Sequence, residues 1–333
     1  MSAVRQLQDN LGRRITYLRV SVTDRCDLRC RYCMPETMRF MPPRDLLKLD
    51  ELALVAERFV ERGVRKIRLT GGEPLMRAGV LDLAARLGAL DPGRLDELTL
   101  TTNGTRLAEC AQALVDAGMK RVNVSLDTLV PETYRAITRT GSLSKVVEGI
   151  AAASRTGLQI KINMVALKGI NEAEIFAMID WCDERGHDLT LIETMPLGDT
   201  GEDRTDHYLP LDGVRRRLEE HYDLFPDPHR SGGPARYYRI AGKRVRLGFI
   251  TPMTHNFCES CNRVRLAADG KLYMCLGHED HVDLRAALRS GGIEALDAAL
   301  DAALISKHAR HDFLIGSAEP RASISRHMSV TGG

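Results

Sequence analysis

Residues 11–35 read LGRRITYLRVSVTDRCDLRCRYCMP, and in this stretch a strand-like run is followed directly by three closely spaced cysteines. Its β-branched and aromatic residues predict a strand at 17–22. Cys26, Cys30 and Cys33 follow that strand in a CxxxCxxC spacing. Three thiolates on one loop can hold three irons of a 4Fe-4S cluster and leave the fourth iron open. Structural zinc is the alternative, but zinc normally takes four ligands, and no histidine or fourth cysteine lies nearby in sequence.

Beyond this stretch, strand-like runs alternate with amphipathic helical runs as far as Met195. The predicted strands lie at residues 17–22, 65–69, 97–100, 121–125, 159–165 and 189–193. The predicted helices between them lie at residues 52–62, 80–90, 107–117, 144–156 and 174–184. A βα series of this kind predicts parallel strands joined by right-handed crossovers.

Polar residues and glycines follow several of the predicted strands at the point where each strand ends. They are Gly71 to Glu73, Thr101 to Asn103, Ser125, Asp127 and Glu193. A βα barrel assembles its active site at this edge of the sheet. Because the usual barrel has eight repeats, we predict an α/β fold with an incomplete (β/α)6 TIM-type barrel that is open on one side.

After Met195 the pattern changes to shorter strands. Strands are predicted at 237–240, 245–250, 263–266 and 271–274, the last two joined by an Asp269-Gly270 hairpin signal. Helices are predicted at 284–288 and 293–304. We expect residues 1–230 to form the partial barrel and residues 231–333 to form a C-terminal α+β module that closes its open side.

A second cysteine group lies in this module. Cys258, Cys261 and Cys275 have a looser spacing, which suits either a second 4Fe-4S cluster or a zinc site. His278 or His281 would supply the fourth zinc ligand. We favour the cluster.

Arg263 and Arg265 lie between these cysteines, two positions apart on a predicted strand. Their side chains should therefore project from the same face. Guanidinium groups suit phosphate oxygens, so the pair predicts an anion clamp beside the second metal centre. The alternative is a solvated, charged face.

The composition argues against several classes of protein. Lys+Arg 47 nearly cancels Asp+Glu 45, which gives a net charge of +2 and no global basic field for nucleic acid. No apolar run approaches the roughly 20 residues of a membrane-spanning helix, and residues 1–14 lack a signal-peptide core. We therefore expect a cytoplasmic protein with clustered metal-binding cysteines instead of disulfides. Surface positions are predicted for His187, His207, His308 and His311.

The first cysteine loop resembles that of the radical S-adenosylmethionine (SAM) superfamily, including the aromatic Tyr32 before the third cysteine. The run Gly71-Gly72-Glu73-Pro74 is similar to the superfamily's glycine-rich turn. The resemblance implies that the open iron of the first cluster binds SAM. An electron from the cluster would then cleave SAM and give a 5′-deoxyadenosyl radical.

Nearly the whole chain resembles the GTP 3′,8-cyclase family of molybdenum cofactor biosynthesis. The resemblance rests on residues 11–35 and on KIRLTGGEPLMR, LTTNGTRL, RVNVSLDTL, FCESCNRVRLAADGKLYMCL and the terminal Gly-Gly. It implies that the radical removes the C3′ hydrogen of GTP and that C3′ then attacks C8 of guanine. It also implies that the second cluster holds the guanine edge.

The resemblance carries site roles to individual positions of this chain. The implied SAM contacts are Tyr32, Gly72, Ser125 and Met195. The implied GTP contacts are Arg19, Arg68, Thr101, Lys161, Arg263, Val264 and Arg265. The implied catalytic residues are Arg263, Arg265, Gly332 and Gly333, the two glycines acting through a tail inserted into the active site. The chain departs from the family at Thr190, where an arginine is frequent, so a substrate contact could be weaker here.

The same resemblance implies an external electron donor, a homodimer, and delivery of the product to the next enzyme, cyclic pyranopterin monophosphate synthase. Two other hypotheses about the function stay open at this point. One is a radical SAM peptide or sulfatase maturase with an auxiliary cluster, although such enzymes tend to carry more C-terminal cysteines. The other is a non-catalytic zinc or electron-transfer protein, which would leave the arginine pair unexplained.

Overall fold

The computed structural model of the chain describes residues 6–313 and 324–332. Within these residues the strands are β1 (Tyr17–Ser21), β2 (Lys66–Thr70), β3 (Glu97–Thr102), β4 (Arg121–Ser125), β5 (Gln159–Val165), β6 (Asp188–Ile192), β7 (Leu224–Asp227), β8 (Arg236–Ile240), β9 (Arg246–Ile250), β10 (Arg263–Leu266), β11 (Lys271–Tyr273) and β12 (His281–Asp283). The α-helices are α1 (Leu49–Glu61), α2 (Val80–Gly88), α3 (Leu107–Asp116), α4 (Pro131–Thr138), α5 (Leu143–Arg155), α6 (Ile175–Arg185), α7 (Arg204–His207), α8 (Leu211–Glu219), α9 (Leu284–Ile305) and α10 (Met328–Thr331). Short 3-10 turns occupy Pro43–Asp45, Pro74–Met76 and Glu172–Glu174.

All twelve strands belong to one sheet, in the order β12-β11-β10-β1-β2-β3-β4-β5-β6-β9-β8-β7. The strands from β10 through β1–β6 to β9 pair in parallel. In the described part of the chain β10 and β9 are not hydrogen-bonded to each other, so the barrel is incomplete. The predicted fold class, a partial TIM-type barrel with a C-terminal module, is confirmed.

Both faces of the central strands are covered, as parallel strands require. Every residue of β1 is buried, and Leu18 and Val20 belong to the hydrophobic core. Because side chains alternate along a strand, Arg19 points to the opposite face from these two. Each such strand therefore contributes apolar residues to the core under the helices and polar residues to the inside of the barrel.

The helices cover the outside of the barrel with one apolar face each. In α1 the buried residues include Leu52, Val55, Ala56 and Phe59, at the spacing of a single helical face. Gly186, with a φ of +69°, ends α6 in the left-handed conformation that favours glycine. In the part of the chain that the structure describes, no helix is long and apolar enough to cross a membrane.

The C-terminal strands extend both edges of the barrel. β11 and β12 continue from β10 as antiparallel strands, and β8 and β7 continue from β9 in the same way. The hairpin at Asp269-Gly270 is confirmed, since β10 and β11 pair across it and Gly270 has a φ of +88°. The two helices predicted near 284–304 merge into α9, which is broken by non-helical angles at Gly291 and Gly292.

Candidate active site

Two adjoining cavities lie inside the barrel, one at the C-terminal ends of the parallel strands and the other deeper, along the first and middle residues of several strands. The cysteine-loop cavity is lined by Cys26, Cys30 and Cys33 together with the ends of β2 to β6. The arginine cavity is lined by Cys258, Cys261 and Cys275 together with cationic side chains of β1, β2, β5 and β10. The residues that line both cavities are Asn163, Ile192, Met195 and Met328. A molecule in one cavity would thus meet a molecule in the other.

The first cysteine loop presents its sulfurs to the cysteine-loop cavity. The backbone amide of Leu28 lies 3.4 Å from the Sγ of Cys26, and the amide of Cys33 donates to the carbonyl of Cys30. Burial raises the pKa of the Cys26 and Cys30 thiols. These sulfurs would become thiolates by exchanging their protons for a metal, which neutralises the charge that burial disfavours.

The glycine pair after β2 lies against the start of this loop. A Cβ on Gly71 would stand 2.3 Å from the carbonyl oxygen of Thr23, and one on Gly72 would stand 2.3 Å from that of Arg25. The amide of Gly72 also donates to Thr23 over 2.8 Å. Only glycine allows this approach, so the turn forms a tight backbone wall of the cavity.

Glu73 locks the turn to the end of β3. Its carboxylate accepts from the hydroxyl of Thr102 at 2.8 Å and from the amides of Leu75 and Asn103 at 3.0 and 2.6 Å. Burial nevertheless raises the pKa of Glu73 to about 7. This carboxylate holds neighbouring segments in place, and it does not line the cavity.

Tyr32 and Asp127 connect the cysteine loop to the middle of the barrel. The Tyr32 hydroxyl donates to Asp127 over 2.7 Å, and the amide of Val165 donates to the other carboxylate oxygen over 2.8 Å. Burial raises the pKa of Asp127 to about 6. Ser125 and Met195 complete this wall, so the four residues predicted to contact SAM all line the same cavity.

Three arginines lie side by side in the arginine cavity. Arg19 on β1 is the register partner of Arg265 on β10 and of Arg68 on β2, so all three project from one face. Arg19 is only 9% exposed, and its Nε and Nη2 have no hydrogen-bond partner among the described residues. Burial lowers the pKa of Arg19 and lowers that of Arg265 to about 9, and adjacent arginines add to both effects. Buried guanidinium groups without a carboxylate indicate an anion site.

Lys161 extends this cationic wall across the barrel. It is 4% exposed, and its ammonium donates to the hydroxyl of Tyr237, which donates in turn to Ser231 over 2.9 Å. Burial and the nearby Arg68 lower the pKa of Lys161. Lys161 therefore lies inside the barrel and not on the solvated surface.

The second cysteine group adjoins these cations. Cys258 and Cys261 form a turn in which the Cys261 amide donates to the Cys258 carbonyl, and the amide of Gly277 lies 3.4 Å from the Sγ of Cys275. All three cysteines line the arginine cavity, as do Arg263 and Arg265. The structure thus brings the predicted clamp and the predicted metal ligands into one cavity.

The C-terminal tail enters the barrel between the two cysteine groups. Arg265 donates to the carbonyl of Gly332 over 2.6 Å, and a Cβ on Gly332 would stand 2.0 Å from the hydroxyl oxygen of Thr70. Gly332 has a φ of +74°, so both its conformation and its contacts favour glycine. Gly333, the other predicted tail residue, lies outside the described residues.

Two predicted GTP contacts stand apart from the rest. Thr101 lines the cysteine-loop cavity, and its hydroxyl lies 3.5 Å from Nη1 of Arg68. Val264 packs in the hydrophobic core, so a contact with a substrate would have to use its main chain. Thr190, where the family often has arginine, is fully buried, and its hydroxyl has no partner among the described residues.

Sequence reasoning missed several residues of the site. Asn163 lines both cavities, and its buried Oδ1 has no hydrogen-bond partner within the described chain. Its position two residues after Lys161 on the same strand would have placed it on the same face. His187 is 5% exposed and packs near Trp181, so the surface prediction for it is wrong. His311 lines the arginine cavity.

Comparisons with known proteins identify the family of the chain. Residues 20–182 match the model of the Radical SAM superfamily, and residues 187–313 match that of Molybdenum Cofactor Synthesis C. The chain is 58% identical to a GTP 3′,8-cyclase of Rhizobium meliloti (strain 1021), over 98% of this chain and 94% of that one. It is 57% identical to a GTP 3′,8-cyclase of Erythrobacter litoralis (strain HTCC2594), over 99% of this chain and 100% of that one.

A solved structure of Streptococcus suis SuiB bound to S-adenosylmethionine has a TM-score of 0.59 with this chain. The alignment covers 95% of this chain and 77% of that one, at 14% identity, so the likeness shows the fold alone. The full-length relatives support the GTP 3′,8-cyclase hypothesis over the two alternatives, a maturase and a non-catalytic zinc or electron-transfer protein. The chain therefore belongs to the GTP 3′,8-cyclase family of the radical SAM superfamily.

Proposed function

We propose that this protein converts GTP to 3′,8-cyclo-7,8-dihydroguanosine 5′-triphosphate in molybdenum cofactor biosynthesis. The observation that carries the proposal is the row of buried arginines beside a second cysteine group. A triphosphate supplies the negative charge that Arg19, Arg68 and Arg265 lack among the described residues. The adjoining cysteine-loop cavity gives SAM a place next to the same substrate.

The first cysteine group fits a cluster that is wider than a single zinc ion. Tetrahedral zinc, with Zn–S bonds of about 2.3 Å, holds its sulfurs about 3.8 Å apart. Among the described residues, neither cysteine trio has all its sulfurs within 4.8 Å of one another. Cys26, Cys30 and Cys33 would therefore hold one 4Fe-4S cluster, and Cys258, Cys261 and Cys275 would hold a second.

When bound, the first cluster would supply the electron that cleaves SAM to methionine and a 5′-deoxyadenosyl radical. That radical would take the C3′ hydrogen of GTP and leave as 5′-deoxyadenosine, C3′ would then bond to C8, and a second electron from the external donor together with a proton would complete the 7,8-dihydro product. The chain's own contribution is to hold the two molecules in contact. Gly72, Tyr32, Ser125 and Met195 form the wall against which SAM would lie. Arg19, Arg68, Lys161 and the Arg263–Arg265 pair would fix the triphosphate and ribose. The ribose C3′ would then face Met195 and Asn163, where the cavities meet.

The tail would complete the site. Gly332 lies between Thr70 and Arg265, where the tail would exclude water from the space between SAM and the triphosphate. We propose the same role for Gly333. Val264 would contribute a main-chain contact to the substrate, and Thr101 would support Arg68.

Further parts of the proposal concern the protein's surroundings. The first cluster needs an external electron donor, and the product would pass to cyclic pyranopterin monophosphate synthase. We also propose a cytoplasmic homodimer. Residues 1–230 would form the SAM-binding unit and residues 231–333 the substrate-binding module.

The variant Cys275→Ala tests the division of work between the two groups. It should keep SAM cleavage under dithionite, because the cysteine-loop cavity is unchanged, but it should lose the cyclised GTP product. The iron content should fall from about eight to about four atoms per chain. Product analysis by liquid chromatography and mass spectrometry gives the readout, with Cys110→Ala, a core cysteine outside both cavities, as the matched control. Normal yield of cyclised product would refute the role given to the second group.

A further inference from the structure

Lys307 is a buried lysine next to the second cysteine group, outside every residue set predicted from the sequence. It is 5% exposed and follows the end of α9. Its ammonium donates to the carbonyls of Arg263 and Met274, and it lies 3.7 Å from the Sγ of Cys261. Within the described residues no carboxylate lies in ion-pair contact with it.

These three partners come from the separate segments that carry the cysteines. Cys261 belongs to the CxxC turn, Arg263 begins β10, and Met274 immediately precedes Cys275. One ammonium group therefore joins the CxxC turn to the segment of the third cysteine. A lysine makes up to three hydrogen bonds, and here each has an acceptor.

The segment that bears Lys307 is itself fixed to the first cysteine of this group, Cys258. The guanidinium of Arg13 donates to the carbonyl of Cys258 at 2.8 Å and to those of His308 and Ala309 at 2.6 and 3.0 Å. Asp9 holds Arg13 in place through a 2.6 Å ion pair. Lys307 thus approaches Cys261 from a braced backbone, so its position does not depend on a flexible loop.

We propose that Lys307 is a positioning residue for the second metal centre: it joins the two segments that carry the three cysteines and donates an N–H···S bond to the Cys261 thiolate. The inference rests on the proposed function, since it requires that these cysteines hold a cluster. A charged donor to a cysteinyl sulfur stabilises the more negative, reduced state of a cluster. Lys307 therefore raises the reduction potential of the second centre and compensates the net charge of its thiolates.

The test uses the full chain with Cys26, Cys30 and Cys33 changed to Ala, so that only the second centre can bind iron. Into this parent we introduce Lys307→Met, Lys307→Arg, and Lys120→Met as a control at an exposed lysine. The readouts are iron and sulfide content and the midpoint potential, followed by electron paramagnetic resonance during a redox titration. None of these depends on turnover.

We expect Lys307→Met to shift the oxidised-to-reduced ratio at the parent's midpoint at least tenfold towards the oxidised cluster, which equals about 59 mV for one electron. Lys307→Arg, which keeps a charged donor, should recover most of that shift, and Lys120→Met should show none. If Lys307→Met binds no iron, recovery of iron and potential in Lys307→Arg supports the proposal, and iron loss in both variants overturns it. A potential of Lys307→Met equal to that of Lys120→Met also overturns it. A parent that binds no four-iron cluster would instead refute the proposed second centre.

Discussion

The two cysteine groups differ most in the charges that surround them. Around Cys26 and Cys30 the charged neighbours are acidic, with Glu73, Asp27 and Asp127 adding to burial in raising the pKa of these thiols. Around Cys261 the neighbours are the cations of Arg263 and Lys307. Since local charge helps to set the potential of an iron–sulfur cluster, the first centre should be the stronger reductant. The difference suits a first centre that donates an electron and a second that stands beside an anionic substrate.

The largest expected effect comes from breaking the first group. Cys26→Ala should abolish reductive cleavage of SAM, because two remaining thiolates cannot hold the cluster with one open iron in the required place. The measurement is 5′-deoxyadenosine formed under dithionite, and Cys182→Ala, on the buried face of α6, serves as the control. Retained 5′-deoxyadenosine formation would contradict the assignment of this loop as the site of the SAM-cleaving cluster.

The next effect removes positive charge from the second region. The double variant Arg263→Ala/Arg265→Ala should weaken GTP binding more than tenfold, about 1.4 kcal/mol or more, because both groups line the arginine cavity. SAM binding should change little. Equilibrium binding of GTP gives the readout, and Arg94→Ala, an exposed arginine away from the cavity, is the control. Unchanged affinity would move the triphosphate to another part of the molecule.

A smaller effect concerns the tail that joins the two regions. In Gly332→Ala the added Cβ would meet Thr70, and relieving this contact should cost about 1–3 kcal/mol of tail docking. GTP-dependent formation of 5′-deoxyadenosine should therefore fall roughly tenfold. Gly157→Ala provides the control, since Gly157 also has a positive φ of +87° but meets nothing within 4 Å. Equal activity of the two variants would show that the tail contact has no role in the reaction.

The smallest effect is a pH dependence of the protein's free energy of unfolding that arises from Glu73, near the first cysteine group. Burial raises the pKa of Glu73 to about 7 from 4.5, so the folded state binds this proton more tightly than the unfolded state. The group therefore lowers the stability of the metal-free protein progressively as pH rises from about 4.5 to about 7. Glu73→Gln should remove this slope, which denaturant unfolding at pH 5 and pH 7 would measure. An unchanged pH dependence would contradict the burial effect.

Much of the barrel could be predicted because its signals are local. The strand predictions at 121–125, 159–165 and 263–266 agree with β4, β5 and β10 residue for residue. Alternating or continuous apolar runs specify such strands wherever both faces are covered. The strands β7 and β12 were missed, since one contains Pro226 and is partly exposed and the other has three residues. The helices α4 and α8 were missed as well, because segments of eight and nine residues carry few periods of the helical pattern.

Site residues could be predicted where their spacing in the sequence indicates their chemistry. Residues whose role depends on tertiary contacts were much harder to predict. The cysteine groups and the shared face of Arg263 and Arg265 follow from their spacing in sequence. The alignment of Arg265, Arg19 and Arg68 does not, because register between strands distant in sequence arises only on folding. Lys307 is similar: nothing local distinguishes it from a solvated lysine, and its contacts are with the first residue of β10 and the residue that follows β11.

The most direct test of two different metal centres is the iron and acid-labile sulfide content of the anaerobically reconstituted protein, measured together with its products from dithionite, SAM and GTP. We expect about eight irons and eight sulfides per chain, 5′-deoxyadenosine, and a cyclised GTP product. About four irons with zinc, and no GTP-dependent product, would contradict it.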